Sequence, residues 1–183
     1  NLLSLRTKKT LTKNIAIVGL LDPWKGQANL VQNKEYSKFF TTHLIGSTRN
    51  CDYVDQINRL QLNNVKIIGV RSNPWEYVNE INASFSICCS IKPDPLPTVV
   101  LESIAHSIIP FVTSLGGGSE MIPPKYHGLL VIDFFNDTDI RKMVYEINNM
   151  SLVKYDIIIN DLRTYLGDHF NSETKSDMYA KLL

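Results

Sequence analysis

"NIAIVG", residues 14–19, is a short apolar run with β-branched residues that stops at a glycine. A strand buried on both faces of a sheet has this look, with the glycine placed where the chain leaves the sheet. The pattern returns in "THLIG" (42–46) and "VKIIG" (65–69). Helical stretches separate the three. "QANLVQNKEYSKFF" (27–40) reads as one helix. "DYVDQINRLQL" (52–62) sets Val54, Ile57, Leu60 and Leu62 near helical spacing. "NPWEYVNEIN" (73–82) offers Asn73 as N-cap and Pro74 at the first helical position.

The alternation runs on. "FSICC" (85–89), "PFVTS" (110–114) and "GLLVI" (128–132) read as strands. "TVVLESIAHS" (98–107) reads as a helix with Thr98 as candidate N-cap. "DTDIRKMVYEIN" (137–148) is a helix, and "SLVKYDIIINDLRTYL" and "NSETKSDMYAKLL" continue as a helical tail. Strands alternating with helices predict an α/β fold: a Rossmann-like parallel sheet of about six strands, helices on both faces and a helical C-terminal tail. Ligands of such sheets bind at the carboxyl ends of the strands. The loops to inspect are therefore "GLLDPWKG", "GSTRN", "GVRSN", "SIKPDPLP" and "SLGGGSE", each of which follows a predicted strand.

The chain has 183 residues, enough for one domain with a real core. "NLLSLRTKKTLTK" (1–13) has basic residues and little periodicity and reads as a linker or leader; residues 14–183 form the domain. Apolar residues at 44% and charged residues at 20% are ordinary globular values. A net charge of +1 argues against a nucleic-acid footprint. Cys51, Cys88 and Cys89 have no metal-ligand spacing, and the last two sit in an apolar run, as buried thiols of a reducing compartment do. No apolar run reaches the ~18 residues of a membrane span, and no secretory signal is visible. The expected location is cytoplasmic.

Two nucleotide signatures are absent, G-x-G-x-x-G and G-x-x-x-x-G-K-[ST], which speaks against a dinucleotide dehydrogenase or a P-loop NTPase. The first loop still suits an anion. Gly19 lets backbone come close, and Lys25 sets a cation at the mouth of the next helix, whose N-terminus adds free N–H groups and positive potential. "KPDPLPTVVLES" (92–103) is more specific. Lys92, Asp94 and Leu96 each precede a proline, so the segment is an extended rod that presents Asp94 in one direction. A helix starting at Thr98 would turn the N–H groups of Val99, Val100 and Leu101 toward the same crevice, with Glu102 one turn in. In "SLGGGSE", three glycines destabilise unless backbone must approach something. The plain alternatives are a solvated lysine, a rigid surface turn and a flexible loop. The four histidines have no carboxylate or nucleophile at telling spacing, so none is read as a catalytic base. Trp24 and Trp75 are read as packing residues.

Together these pieces resemble the group 1 (family 4) retaining glycosyltransferases of the GT-B type, in their C-terminal, donor-binding half. The family's "G-R-L…K-G" loop is "VGLLDPWKG" here. Its "P-E-P-F-G" followed by "E-A-M-A" is "PDPLPTVVLESIA", which keeps seven residues between Asp94 and Glu102. Its "P-V-V-A-T…G-G-x-P-E" is "PFVTSLGGGSE", and its "G-L-L-V" is Gly128 to Val131. The resemblance implies a domain that binds a nucleotide-diphosphate sugar with a UDP, GDP or ADP moiety and moves a hexose-type sugar to a polysaccharide, lipid or other glycoconjugate. Asp94 and Glu102 would be the catalytic pair, touching the transferred sugar and the ribose hydroxyls. Gly19 and Lys25 would serve the diphosphate. Val70 and Arg71 would lie near the base. Leu96, Pro97, Thr98 and Val99 would line the sugar and phosphate, with Gly116 and Gly117 beside them. No metal or other cofactor is implied. An acceptor-binding domain is expected upstream, and the resemblance allows peripheral membrane association of the full enzyme. The sequence departs from the family at Leu20, where arginine is usual, at Leu96-Pro97 in place of "F-G", and at Ser119 in place of proline. Two other readings stand beside transfer: a non-catalytic binding or scaffold domain of the same descent, and an epimerase-like domain, for which no acid–base pair stands out.

Overall fold

A computed structural model of the chain describes residues 10–170. Six parallel strands form one sheet: β1 (Asn14–Val18), β2 (Thr41–Ile45), β3 (Val65–Gly69), β4 (Phe85–Cys88), β5 (Ile109–Thr113) and β6 (Val131–Ile132). Their order in the sheet is β3-β2-β1-β4-β5-β6. The chain runs outward from β1 to β3, then crosses back to place β4 beside β1. The carboxyl ends of β1 and β4 therefore send their loops in opposite directions and leave a crevice between them.

Period-two alternation explains the two covered faces. Ile15 and Ile17 of β1 join one apolar cluster while Ala16 between them joins another. The larger cluster gathers Leu30, Val31, Leu44, Phe85 and Phe111; the smaller is built around Ile45, Trp75, Val78 and Ile108. The helices that supply these contacts are α1 (Gln27–Gln32), α2 (Lys34–Ser37), α3 (Cys51–Arg59), α4 (Pro74–Glu80), α5 (Thr98–Ala105), α6 (His127–Leu130), α7 (Asp137–Asn148) and α8 (Leu152–Phe170).

Three expectations need correction. The helix predicted over 27–40 is two short helices. Asn33 ends α1 in an extended conformation, and its side chain accepts from the N–H groups of Glu35 and Tyr36, so it caps α2 instead of continuing α1. The strand predicted over 128–132 is mostly the helical turn α6, and only Val131 and Ile132 pair with β5. α5 starts at Thr98, but the cap position belongs to Pro97 and no side chain caps the helix. Asn73 and Pro74 occupy the predicted cap and first positions of α4. The last part of the predicted leader is tied down: Leu11 packs on the core and the Thr12 hydroxyl donates to the Asn82 carbonyl. Residues 1–9 and the predicted helix "NSETKSDMYAKLL" lie outside the described residues.

The long helix α8 is bound to the amino-terminal edge of the sheet. Its buried Tyr155 offers one hydroxyl proton to two carbonyls, of Ser84 at 2.8 Å and Ser107 at 2.5 Å, and its ring meets Phe85 edge-on. Arg163 donates to the carbonyls of Ile104 and Ala105 at the end of α5, where positive charge is favoured. Tyr155→Phe keeps the packing but takes the hydroxyl donor from both carbonyls, leaving that of Ser84 with the Ile109 N–H alone, so a stability loss of about 1–3 kcal/mol is expected. Urea unfolding measures it, and an unchanged midpoint would mean these bonds contribute nothing.

His43 on β2 is buried, with Nδ1 2.8 Å from the Tyr77 hydroxyl and Nε2 without a hydrogen-bonding partner among the described residues. Burial, with Lys66 on the neighbouring strand adding to it, holds its pKa below the ordinary 6.5. The unfolded chain then binds the proton more readily, so stability is present above pH 6.5 and is lost as pH falls through and below that value. Unfolding midpoints at pH 7.5 and 5.5 are expected to differ more for the natural chain than for His43→Gln. Equal differences would remove His43 as the cause.

Candidate functional site

The site is assembled from the loops that leave β1, β4 and β5. After β1 the chain passes Gly19 and forms a single tight turn at Pro23–Lys25, capped by Asp22. The Asp22 carboxylate accepts from the Trp24 N–H and from Asn50, which itself caps α3, so the loops after β1 and β2 hold each other. Gly26 then reverses the chain at φ +74°, and a Cβ there would stand 2.3 Å from the Cys89 carbonyl oxygen. Only glycine admits this approach. The Ile91 N–H donates to the Trp24 carbonyl at 2.8 Å, and the Cys89 thiol to the Lys25 carbonyl at 3.3 Å. Burial pushes the Cys89 thiol pKa up, which keeps it a neutral donor. Cys88 is half-buried, and Cys51 is exposed.

The proline rod meets this loop through its acid. Lys25 Nζ lies 2.7 Å from Asp94 Oδ2, with the two side chains 20% and 17% exposed. The same ammonium sits 4.0 Å above the Trp24 ring, a cation–π contact. The residues expected to serve diphosphate and sugar separately are thus a bonded pair. The other side of Asp94 is gripped by the glycine run. Its carbonyl accepts from the Gly117 N–H at 2.9 Å, and Asp94 and Gly116 form a parallel bridge. Gly116 has φ +86°, and a Cβ on it would fall 2.4 Å from the Asp94 oxygen. The backbone approach for which the glycines were singled out is made first to the rod itself.

Other predicted donors are already engaged. The Val100 N–H donates to the Pro97 carbonyl at 2.9 Å and is not free for a ligand. At the start of α1, the Ala28 N–H donates to the Tyr53 hydroxyl, and the Gln27 amide to the Leu20 carbonyl. Burial raises the Tyr53 pKa to about 12, so the phenol stays neutral. Leu96 and Thr98 face solvent, Pro97 is buried and Val99 half-buried, all beside the Asp94 grip. Val70 is 72% exposed on the loop after β3, and the Arg71 guanidinium lies over the Tyr77 ring.

Glu102 holds an unforeseen partner. Its Oε2 accepts from Trp75 Nε1 at 2.7 Å, and the Trp75 ring stacks on His106 at 5.2 Å and 9°. Trp75 is buried, as expected of a packing residue; its bond to Glu102 carries no sequence signal, because the two stand 27 positions apart. Among the described residues, no group of three or more His, Cys, Asp and Glu could hold a metal ion, and no helix is long and apolar enough to cross a membrane. Lys25 and Asp94 thus meet on the loops after β1 and β4, while Glu102 stands on α5, bonded to Trp75 of α4.

The family model for glycosyl transferases group 1 matches residues 6–155. Among solved structures, the chain is similar to HepE of Anabaena in complex with UDP and glucose, at 21% identity and a TM-score of 0.73, over 93% of this chain and 47% of that one. It is similar to a glycosyltransferase of Rickettsia africae ESF-5 at 19% identity and a TM-score of 0.70, over 94% and 47%. A sucrose-phosphate synthase of Thermosynechococcus elongatus gives 17% and 0.72, over 93% and 45%. No curated protein matches the chain. It spans about half the length of these solved structures, and the likeness to them shows the fold.

Gly116→Val forces a branched residue into a left-handed backbone, about 1–2 kcal/mol by itself, and drives a side chain into Asp94. A clear drop in melting temperature is expected. Gly167→Ala on α8, where a Cβ meets nothing within 4 Å, serves as the comparison and is expected to be neutral or slightly stabilising. Equal effects of the two would show that the Gly116–Asp94 contact is not tight.

Proposed function

The chain belongs to the group 1 glycosyl transferases, and from that premise we propose that it is the donor-binding half of a retaining enzyme that transfers a hexose-type sugar from a nucleotide-diphosphate sugar. The observation that carries this reading is the meeting of Lys25 and Asp94 at the β1/β4 crevice, 2.7 Å apart on two loops interlocked by backbone contacts. The diphosphate competes with Asp94 for the Lys25 ammonium, and lysine is a sound point-charge partner for it. Once Lys25 turns to phosphate, Asp94 keeps its direction through its backbone bond to Gly117 and is free to accept from a sugar hydroxyl. Glu102 takes the ribose hydroxyls, and the loop bearing Val70 and Arg71 borders the base. Once turned to the diphosphate, the lysine stabilises the charge that develops on it as it departs.

That a solved structure of similar fold, HepE of Anabaena, holds UDP and glucose supports a nucleotide-sugar donor. The nucleotide is one of UDP, GDP and ADP. The acceptor is a polysaccharide, lipid or other glycoconjugate and binds across the cleft on a domain upstream of this one. The enzyme works in the cytoplasm, with peripheral membrane contact where the acceptor is a lipid. Neither a metal nor another cofactor is required. A second reading, a binding domain without transfer, is favoured by two particulars: Leu20 stands exposed where the family has arginine, and Pro97 offers no N–H.

Titration calorimetry of the chain against UDP, GDP and ADP and their glucose conjugates tests the donor reading. Binding of one nucleotide is expected, with Lys25→Ala weakening it about tenfold or more through loss of a charge-assisted contact. Glu102→Ala is expected to weaken binding about tenfold or more through loss of the ribose contacts. A folded chain that gives no heat with any of them would overturn the reading. Binding that survives Glu102→Ala unchanged would overturn the role of that residue.

A further inference from the structure

We propose that Trp75 is a positioning residue of the donor site, its indole N–H setting the Glu102 carboxylate in the orientation that meets the ribose hydroxyls. This rests on the proposed role of Glu102 and goes beyond it. Trp75 is 5% exposed, whereas Glu102 faces solvent. An exposed glutamate on a helix ordinarily moves among rotamers; this one is anchored by a charge-assisted bond of 2.7 Å from Nε1 to Oε2.

The anchor is itself fixed from three sides. Asn73 Oδ1 accepts from the Trp75 N–H, and Pro74 sets the entry into α4. The indole packs in the smaller core cluster with Val78 and Ile108. Its ring lies nearly parallel to that of His106, the C-cap of α5, four positions beyond Glu102. With Oε2 committed to Trp75 on one lone pair, Oε1 and the second lone pair of Oε2 remain to accept. That is the set a vicinal pair of hydroxyls can use. The bond also joins α5 to the start of α4, directly after the loop of Val70 and Arg71, so the carboxylate is held in register with the loop expected to border the base. A bond that served only to satisfy the buried N–H would have no bearing on ligand hydroxyls, and this separates the two roles.

The test measures the affinity of the natural chain and of Trp75→Phe for UDP, GDP and ADP, each beside its 2′,3′-dideoxy counterpart, by calorimetry, reading the pair that binds tightest. The natural chain is expected to prefer the nucleotide with hydroxyls. Trp75→Phe is expected to weaken that nucleotide about tenfold and to leave the dideoxy form unchanged, so the preference shrinks. If the phenylalanine variant does not fold, Trp75 is replaced by 3-benzothienylalanine, which keeps the shape of indole without the N–H. Equal weakening of both ligands would reduce Trp75 to core packing and overturn the inference. So would an unchanged preference, while leaving the donor reading intact. Absence of nucleotide binding by the natural chain would overturn the donor reading and this inference with it.

Discussion

Asp94 is held at once by its side chain and its backbone. The carboxylate pairs with Lys25 of the β1 loop, and the peptide on either side is clamped by Gly116 and Gly117 of the β5 loop. Three loops from three strands therefore share one residue. Little net stability need come from the ion pair, since the desolvation of two partly buried charges offsets most of their attraction. Its effect is geometric. The prolines before and after Asp94 remove conformers the rod would otherwise visit, so the clamp acts on a segment that is already stiff.

The clamp works only because glycine stands where backbone touches backbone. At Gly26 a Cβ would stand 2.3 Å from the Cys89 carbonyl oxygen, and at Gly116 one would stand 2.4 Å from that of Asp94. These contacts convert the parallel sheet's open end into a shaped crevice. Strand order makes the crevice; interlocking loops give it walls that do not depend on a ligand for their form. Binding then costs less ordering of the protein, which is where rigid sites gain affinity.

Glu102 is set by a different device. Its partner is an aromatic donor from the next helix over, buried in the smaller core cluster. The two carboxylates of the candidate site thus differ in restraint: Asp94 through an ammonium on a loop, Glu102 through an indole buried in the core. On the proposed reading, a ligand that brings negative charge alters the first and leaves the second in place. This asymmetry suits a site in which one acid must be released on donor arrival and the other must already be aimed.

Much was legible in residue order alone. The runs at 14–18, 65–69 and 85–88 are strands because β-branched and apolar residues between glycines and polar loops have few other stable uses, and their alternation with helices required a parallel sheet with both faces covered. The spacing of Asp94 and Glu102, and the "KG" before α1, marked the candidate site for the same local reason: short motifs carry their own geometry. Three things were decided only by the tertiary structure. Asn33 broke a predicted helix because its side chain caps the next one, a competition that periodicity does not register. "GLLVI" is largely a helical turn, and only Val131 and Ile132 pair with β5 at the edge of the sheet. The partners of both acids, Lys25 at a separation of 69 and Trp75 at 27, came from other loops and helices. Local sequence sets which backbone conformations are cheap, whereas which side chains meet across a crevice is set by strand order, and strand order is a property of the whole chain.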